Sequence, residues 1–226
     1  MIGIIAAMDS EVEAIQACMQ VKKTKKNHTI DCIYGTLEGQ EVVLCKSGVG
    51  KGLAAMATTI LCMSESIDAI INVGVAGGLK EDQNVMDLVI SNHVVQADYD
   101  TSCIDGEDGL GLIFESDHHL QEICTQAAQT CDITYHVGDV ASQDLFMARP
   151  EDFDALMNRF PNSICSEMEA GAIAQIAHTF NIPFLVIRSL SDVVCHDENP
   201  MEFSQYVILA SQQAAKLMQA FCQKYQ

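Results

Sequence analysis

Residues 164–192 read ICSEMEAGAIAQIAHTFNIPFLVIRSLSD and contain two predicted strands joined by a predicted helix. Residues 170–180 are rich in helix-forming residues, and their apolar side chains recur at roughly helical spacing. Residues 184–187 are entirely apolar, which is typical of a strand buried on both faces of a sheet. A strand–helix–strand unit of this kind predicts an α/β fold.

Acidic side chains lie where both strands of this unit end. Glu167 and Glu169 stand between the first strand and the helix, and Asp192 follows the second strand. In open α/β sheets, ligands bind outside the carboxyl ends of the strands. The two strand ends therefore form a candidate active site, in which Glu167 and Glu169 are equally good candidates on position alone.

The rest of the chain continues the alternation of strands and helices, apart from one early hairpin. Other strands are predicted at residues 3–7, 30–37, 41–45, 69–73, 88–91 and 135–141, and other helices at residues 9–20, 53–64, 117–131, 150–159 and 201–224. We interpret the lysine-rich residues 22–26 as a solvated turn and residues 96–116 as a long loop. The pattern predicts a three-layer α/β/α sandwich with a central mixed, mostly parallel sheet, in one domain spanning residues 1–226.

Composition excludes several classes of function. The net charge of −19 argues against a nucleic-acid partner, because few cations are present to neutralise phosphates. No apolar run approaches the roughly 20 residues of a membrane helix, and the apolar start lacks the basic leader of a signal peptide. The ten cysteines are scattered without a CxxC pair, as in reduced cytosolic proteins. We therefore expect a cytoplasmic protein without a membrane partner.

Two glycine-containing segments follow predicted strands. Residues 47–52, SGVGKG, fit neither a Walker loop nor the GxGxxG pattern, so a structural turn and a small-ligand wall both remain open. Residues 74–78, GVAGG, present only backbone and small side chains, which suits a flat base or sugar pressed against Ala76 and Gly77. Glu11 falls in the first turn of a predicted helix, where a cap acid on a solvated helix is the simplest interpretation.

Six motifs, in order over nearly the whole chain, carry a more specific resemblance. They are IGIIAAMDSEV at 2–12, KSGVGKG at 46–52, INVGVAGGL at 71–79, SQDLF at 142–146, EMEAGAIA at 167–174 and RSLSDV at 188–193. With these motifs the chain resembles the 5′-methylthioadenosine/S-adenosylhomocysteine nucleosidases of the purine nucleoside phosphorylase superfamily. The resemblance implies hydrolysis of the N-glycosidic bond of both nucleosides, which releases adenine and a 5-thioribose product.

The resemblance also implies a role for each site residue. Asp192 would be the acid that protonates adenine N7, Glu11 the base that activates water, and Glu169 the residue that holds the ribose hydroxyls, while Glu167 would be structural. Such an arrangement follows the two-carboxylate logic of inverting glycoside hydrolysis. The remaining implied substrate-binding residues are Met8, Val49 and Phe203 around the 5′-thio group, Met168 at the sugar, Phe146 stacked on adenine, the Met147 backbone at the adenine edge, and Arg188 and Ser191 as organisers of the site.

No cofactor and no metal are implied, and the one adjacent histidine pair, His118 and His119, would face different directions on its helix. The resemblance further implies a homodimer, in which residues 96–116 of the partner subunit close the pocket, with Ile104 as the candidate contact. A plain core position is the alternative interpretation of Phe146.

Two rival functions remain open. A phosphate-dependent purine nucleoside phosphorylase would need cations for phosphate, but residues 71–78 contain no arginine or lysine. The second rival function is that of a catalytically silent nucleoside-binding protein. Three departures from the family leave the choice among methylthioadenosine, adenosylhomocysteine, deoxyadenosine and futalosine-type substrates open. Val75 stands where the family often has a hydroxyl near the attacking water, no histidine precedes Asp98, and Gln143 replaces a small residue.

Overall fold

The sheet at the centre of the protein has ten strands, and helices cover both of its faces. The structure, a computed structural model, describes residues 1–194 and 199–225, with side chains in the last helix described from residue 206 onward. The strands are β1 (Ile2–Ala6), β2 (Gln20–Asn27), β3 (Ile30–Leu37), β4 (Gln40–Lys46), β5 (Ala69–Gly78), β6 (Leu88–Asp100), β7 (Leu110–Glu115), β8 (Tyr135–Ser142), β9 (Ser163–Glu167) and β10 (Phe184–Val193). The helices are α1 (Asp9–Cys18), α2 (Lys51–Ser64), α3 (Ser102–Asp105), α4 (His118–Thr130), α5 (Pro150–Arg159), α6 (Ala170–Thr179) and α7 (Asn199–Lys224).

The strand order is β10-β6-β8-β9-β5-β1-β4-β3-β2, with β7 paired to β6. Because β10 also pairs with β5, five of the strands close into a ring, and β1, β4, β3 and β2 extend from it. The predicted α/β fold with a central mixed sheet is confirmed. In the described chain, five pairs of neighbouring strands are parallel and five are antiparallel.

The central strands are apolar throughout because both of their faces are covered. Ile4 packs in a core with Ile15 of α1 and Phe221 of α7, whereas the neighbouring Ile5 packs in a second core with Leu61 of α2. Successive side chains of a strand point to opposite faces, so one apolar run supplies both cores. None of the helices in the described chain combines the length and hydrophobicity needed to span a bilayer.

Two interpretations of polar segments were wrong. The lysine-rich segment is not a turn but the edge strand β2, which pairs antiparallel with β3 and exposes its lysines to solvent. Lysines on an edge strand discourage pairing with other chains, so their presence does not argue against a strand. The segment 96–116 is not a long loop either. It contains the end of β6, α3, a 3₁₀ turn (Gly106–Gly109) and β7, which pairs antiparallel with β6.

Candidate active site

A cavity lies where the carboxyl ends of β1, β5, β9 and β10 meet. Its wall is formed by the β1–α1 junction, β5, the segment after β8, the β9–α6 junction and the end of β10. The lining residues are Ala7, Met8, Glu11, Val49, Val75, Ala76, Gly77, Leu145, Phe146, Met147, Ser166, Glu167, Met168, Glu169, Ser191, Asp192 and Val194.

Most of the predicted site residues lie together on this wall, namely Met8, Glu11, Val49, Ala76, Gly77, Phe146, Met147, Met168, Glu169, Ser191 and Asp192. Three do not. Arg188 is buried behind the wall, where it contacts Glu167. Ile104 of α3 is 85% exposed and is not part of this chain's cavity. Phe203 lies outside the residues whose side chains the structure describes.

Six further residues line the cavity: Ala7, Val75, Leu145, Ser166, Glu167 and Val194. Position had already made Glu167 a candidate, and Val75 was noted as a departure from the family, whereas the other four were not named as site residues. Ala7 and Leu145 lie inside the family motifs, and Ser166 and Val194 are adjacent to them. The wall is therefore built from continuous segments, and extending each motif by one residue would have included all six.

Asp192 is held inside strand β10 rather than in a loop after it. The pairing of β10 with β5 shifts register between Leu190 and Asp192, so that Ser191 is the extra residue of a β-bulge. Bulges re-aim side chains and are common beside active sites. Ser191 Oγ donates to Asp192 Oδ1 at 2.8 Å, and Asp192 is 3% exposed. The bulge thus places a restrained, buried carboxyl group on the cavity wall.

Glu11 does cap the start of α1, but it is not solvated. Its Oε2 atom accepts the backbone N–H groups of Ala7 and Met8 at 2.8 and 2.9 Å. Its Oε1 atom accepts the N–H of Val75 at 3.1 Å. Burial raises the pKa of Glu11, although these N–H groups and the charge of Arg188 act in the opposite direction. A buried carboxylate with a raised pKa is a stronger base than a solvated one.

Glu167 of the cavity wall and Arg188 behind it form a buried ion pair. Glu167 accepts the backbone N–H groups of Glu169 and Ala170, which begin α6. Arg188 Nη2 donates to Glu167 Oε2 and to Asn72 Oδ1, each at 2.5 Å. Negative charge at a helix N-terminus is favourable, and the guanidinium compensates its burial. Glu167 is therefore engaged with the protein itself, which agrees with a structural role.

Glu169 differs from Glu167 because its carboxylate faces the turn before α2. Its Oε1 atom accepts the N–H of Gly50 at 2.9 Å. Burial and the negative charge of Glu167 raise the pKa of Glu169 to about 7. Position in the sequence did not distinguish the two glutamates, and both line the cavity. Their partners distinguish them, because Glu167 is bound to Arg188 and to the start of α6, whereas Glu169 accepts the N–H of Gly50.

Hydrophobic side chains also line the cavity. Phe146 is 45% exposed and lies on the wall, so the alternative of a plain core position is wrong. Met147 beside it is buried, and Leu145 and Val49 are partly exposed at the same cavity. The cavity wall thus combines carboxylates with aromatic and aliphatic side chains. Among the described residues, no cluster of three or more histidine, cysteine or acidic side chains could hold a metal ion.

Comparison with known proteins identifies the family. The model of the Phosphorylase superfamily matches residues 1–223. The 5′-methylthioadenosine/S-adenosylhomocysteine nucleosidase of Halalkalibacterium halodurans is 40% identical over 225 residues, which cover 97% of this chain and 96% of that protein. This chain belongs to that nucleosidase family. The predicted resemblance and the predicted enzyme class, N-glycosidic hydrolase, are thereby confirmed.

Solved structures of nucleosidases share the fold over their whole length. The nucleosidase of Neisseria meningitidis in complex with methylthio-immucillin-A has a TM-score of 0.93 and 31% identity, and 98% of each chain is covered. The futalosine hydrolase of Helicobacter pylori has a TM-score of 0.90 and 27% identity, covering 97% of this chain and 96% of its own. A methylthioadenosine/adenosylhomocysteine nucleosidase and a futalosine hydrolase thus share one architecture with this chain.

Proposed function

We propose that this protein hydrolyses the N-glycosidic bond of 5′-methylthioadenosine and S-adenosylhomocysteine, releasing adenine and the 5-thioribose product. The observation that carries the proposal is the meeting of three carboxyl groups, from Glu11, Glu169 and Asp192, on the wall of one cavity. They come from α1, the start of α6 and β10, and all three are buried. The family relationship supports the same reaction.

Each carboxyl group has a distinct task in this proposal. Cleavage of the bond builds positive charge on the ribose and negative charge on adenine. Asp192 donates a proton to adenine N7 as the bond breaks. Glu11 takes a proton from the water that attacks the anomeric carbon, which suits its raised pKa. Glu169 accepts the ribose hydroxyls, with Met168 beside the sugar.

The neutral parts of the substrate match the rest of the cavity. Phe146 offers an exposed aromatic face for stacking on adenine, and the adjacent Met147 backbone can read the edge of the base. Met8 and Val49 provide an apolar surface for the 5′-thio group. Phe203 is proposed for the same surface on the family pattern alone. Ala76 and Gly77 let the ligand approach the main chain closely.

Hydrolysis is favoured over phosphorolysis by the charges around the cavity. Binding of phosphate usually requires arginine or lysine, and the cavity wall described here includes neither. The buried Arg188 is engaged with Glu167 and Asn72 rather than facing a ligand. Water is therefore the nucleophile that the described wall accommodates.

We also propose that the protein acts as a homodimer. Three residues that line the cavity, Val49, Leu145 and Phe146, have apolar side chains that are 38–50% exposed, and Leu53 of α2 is 46% exposed. Ile104 is more exposed still, as expected if it covers the cavity of the partner subunit. A second copy of the chain would bury such a surface. Sedimentation velocity of the full chain, and of an Ile104→Asp variant, tests this arrangement, and a monomeric wild-type protein would contradict it.

The decisive experiment measures adenine release from methylthioadenosine, adenosylhomocysteine, deoxyadenosine and a futalosine-type nucleoside, with and without inorganic phosphate. We expect kcat/KM to be highest for the two thio-nucleosides and unchanged by phosphate. Release that requires phosphate would indicate a phosphorylase. Binding without release at micromolar enzyme would indicate a silent nucleoside-binding protein.

A further inference from the structure

Three charged residues from separate segments hold one another at the rim of the cavity. Asp98 lies near the end of β6, Lys51 begins α2, and Asp144 follows β8. Asp98 Oδ1 accepts Lys51 Nζ, and Asp98 Oδ2 accepts the backbone N–H of Asp144 at 3.0 Å. Asp144 Oδ1 in turn accepts the backbone N–H of Lys51 at 2.8 Å. Each residue therefore contacts both of the others, and we call this closed set the rim triad.

The rim triad joins two walls of the cavity. Lys51 directly follows Val49 and Gly50, and the N–H of Gly50 donates to Glu169 Oε1. Asp144 directly precedes residues 145–147, all of which line the cavity. The separation between the turn at Glu169 and the segment that carries Phe146 is thus set by contacts among the three residues.

A glycine permits the two walls to approach this closely. Gly50 has φ of 97°, a backbone conformation that other residues rarely adopt. A Cβ atom there would lie 3.3 Å from Asp144 Oδ1, which is a tight contact. The triad is therefore built into the turn and is not an incidental contact of long surface side chains.

The charges of the triad are only partly solvated. The side chains of Lys51 and Asp98 are 17% and 35% exposed. Partial burial would raise the pKa of Asp98, but the Lys51 ammonium and the N–H of Asp144 outweigh it and lower the pKa. Asp98 is consequently an anion near neutral pH, and it satisfies a backbone donor as well as an ammonium group. An exposed ion pair contributes little because solvent screens the charges and ordering two long side chains costs entropy. The pair of Lys51 and Asp98 is partly buried, and Asp98 also binds the backbone of a second segment.

We propose that Asp98 is a positioning residue of the proposed nucleosidase reaction, which sets the adenine-binding segment 145–147 at its working distance from Glu169. The inference rests on the proposed function. Asp98 does not line the cavity, and the proposed acid and base, Asp192 and Glu11, belong to other elements. Loss of the triad should therefore weaken ground-state binding of the nucleoside more than it slows bond cleavage.

The experiment compares Asp98→Asn with Asp139→Asn in the full chain. Asp139 of β8 pairs with His93 and does not line the cavity, so its replacement also removes one carboxylate from an ion pair and serves as the control. We expect Asp98→Asn to raise KM for methylthioadenosine by about tenfold or more with a much smaller change in kcat. Asp139→Asn should leave both constants unchanged.

Two additional measurements separate positioning from general damage. Lys51→Met removes the ammonium but keeps the backbone donor, so it should raise KM similarly, and the double variant should be no worse than either single variant. Calorimetric binding of adenine should weaken in parallel. An unchanged KM in Asp98→Asn, or a fall in kcat equal to the fall in kcat/KM, would overturn the inference. If the wild-type protein releases no adenine, the proposed function fails, and adenine binding alone still tests the triad.

Discussion

Arg188 and Glu167 form a buried ion pair at the cavity wall, with Nη2 2.5 Å from Oε2 and both side chains only 2% exposed. The pair connects β10 to the start of α6, because Glu167 also accepts the backbone N–H groups of Glu169 and Ala170. The guanidinium acts on the nearby Glu11 and Glu169 as well, where its charge opposes the rise in pKa that burial causes. One buried cation thus interacts favourably with three buried carboxyl groups.

Replacement of Arg188 by methionine should therefore be strongly destabilising. The variant would leave Glu167 buried without its partner, and breaking a buried pair from one side costs about 3–5 kcal/mol. Urea unfolding at pH 7 measures the change. Arg149→Met is the control, because Arg149 forms an exposed pair with Asp152 and should change the free energy of unfolding by less than about 1 kcal/mol. Equal stability of the two variants would contradict the central role of the buried pair.

Glu169 should make the stability of the protein fall as pH rises. Its pKa in the folded protein is about 7, against an ordinary value of 4.5. Between these values the folded state binds more protons than the unfolded state, so the free energy of unfolding decreases with increasing pH. Glu169→Gln cannot lose a proton, and its Oε1 atom can still accept the N–H of Gly50.

We accordingly expect Glu169→Gln to lose less stability than the wild type between pH 5 and pH 8, by up to about 3 kcal/mol. Urea unfolding of both proteins at the two pH values gives this difference, and contributions from Glu11 are common to both. Glu151→Gln, at an exposed glutamate of α5, should follow the wild type. The idea fails if all three proteins show the same dependence on pH.

Asp192→Asn should remove most turnover without unfolding the protein. Asparagine retains an oxygen that can accept Ser191 Oγ, so the bulge of β10 is preserved. It cannot donate an acidic proton to adenine, and general acids contribute roughly 10²–10⁴-fold. Steady-state kcat and the urea midpoint are measured together, with Asp139→Asn, a partner of His93 away from the cavity, as the control. Near-normal kcat would remove Asp192 from the acid role.

Hydrophobic patterns predicted most of the fold because strands such as β1 are buried on both faces by apolar neighbours. The same patterns predicted that the strand ends at residue 187, because a charged residue, Arg188, follows. In the structure Arg188 is buried like Ile187, and β10 continues to Val193. The burial of Arg188 depends on Glu167, which lies 21 positions away in the chain, and no local pattern reports such a partner. Edge strand β2 was missed for the opposite reason, because its exposed lysines resemble a solvated turn.

The sequence predicted which residues line the candidate site but not all of the contacts among them, because several of these contacts join distant segments. Motifs named Glu11, Glu169 and Asp192, and these residues do share a cavity wall. The division between Glu167 and Glu169 could not be read from spacing, because it depends on the contacts with Arg188 and Gly50. The contacts of the rim triad could not be predicted either, because its three residues come from segments that are distant in the sequence.

Gly74 should tolerate no side chain. A Cβ atom at this position would lie 2.7 Å from Glu11 Oε1 and 3.2 Å from Arg188 Nη1. Gly74→Ala would therefore displace the proposed base, and we expect kcat to fall by about tenfold or more. Gly52→Ala is the control, because a Cβ atom there meets nothing within 4 Å. Equal activity of the two variants would show that Glu11 can move without loss of function.

Val75 offers a test of how the attacking water is held. Its side chain lines the cavity and its N–H donates to Glu11 Oε1, yet valine gives the water no hydroxyl. Val75→Thr adds one potential hydrogen bond at nearly constant shape. One such bond is worth about 0.5–1.5 kcal/mol, so kcat should rise by up to about tenfold while KM changes little. Val75→Ala, which makes room without adding a hydroxyl, separates the effect of space from that of hydrogen bonding. A rise of the same size in the alanine variant, or no rise in the threonine variant, would mean that Glu11 and the substrate position the water unaided.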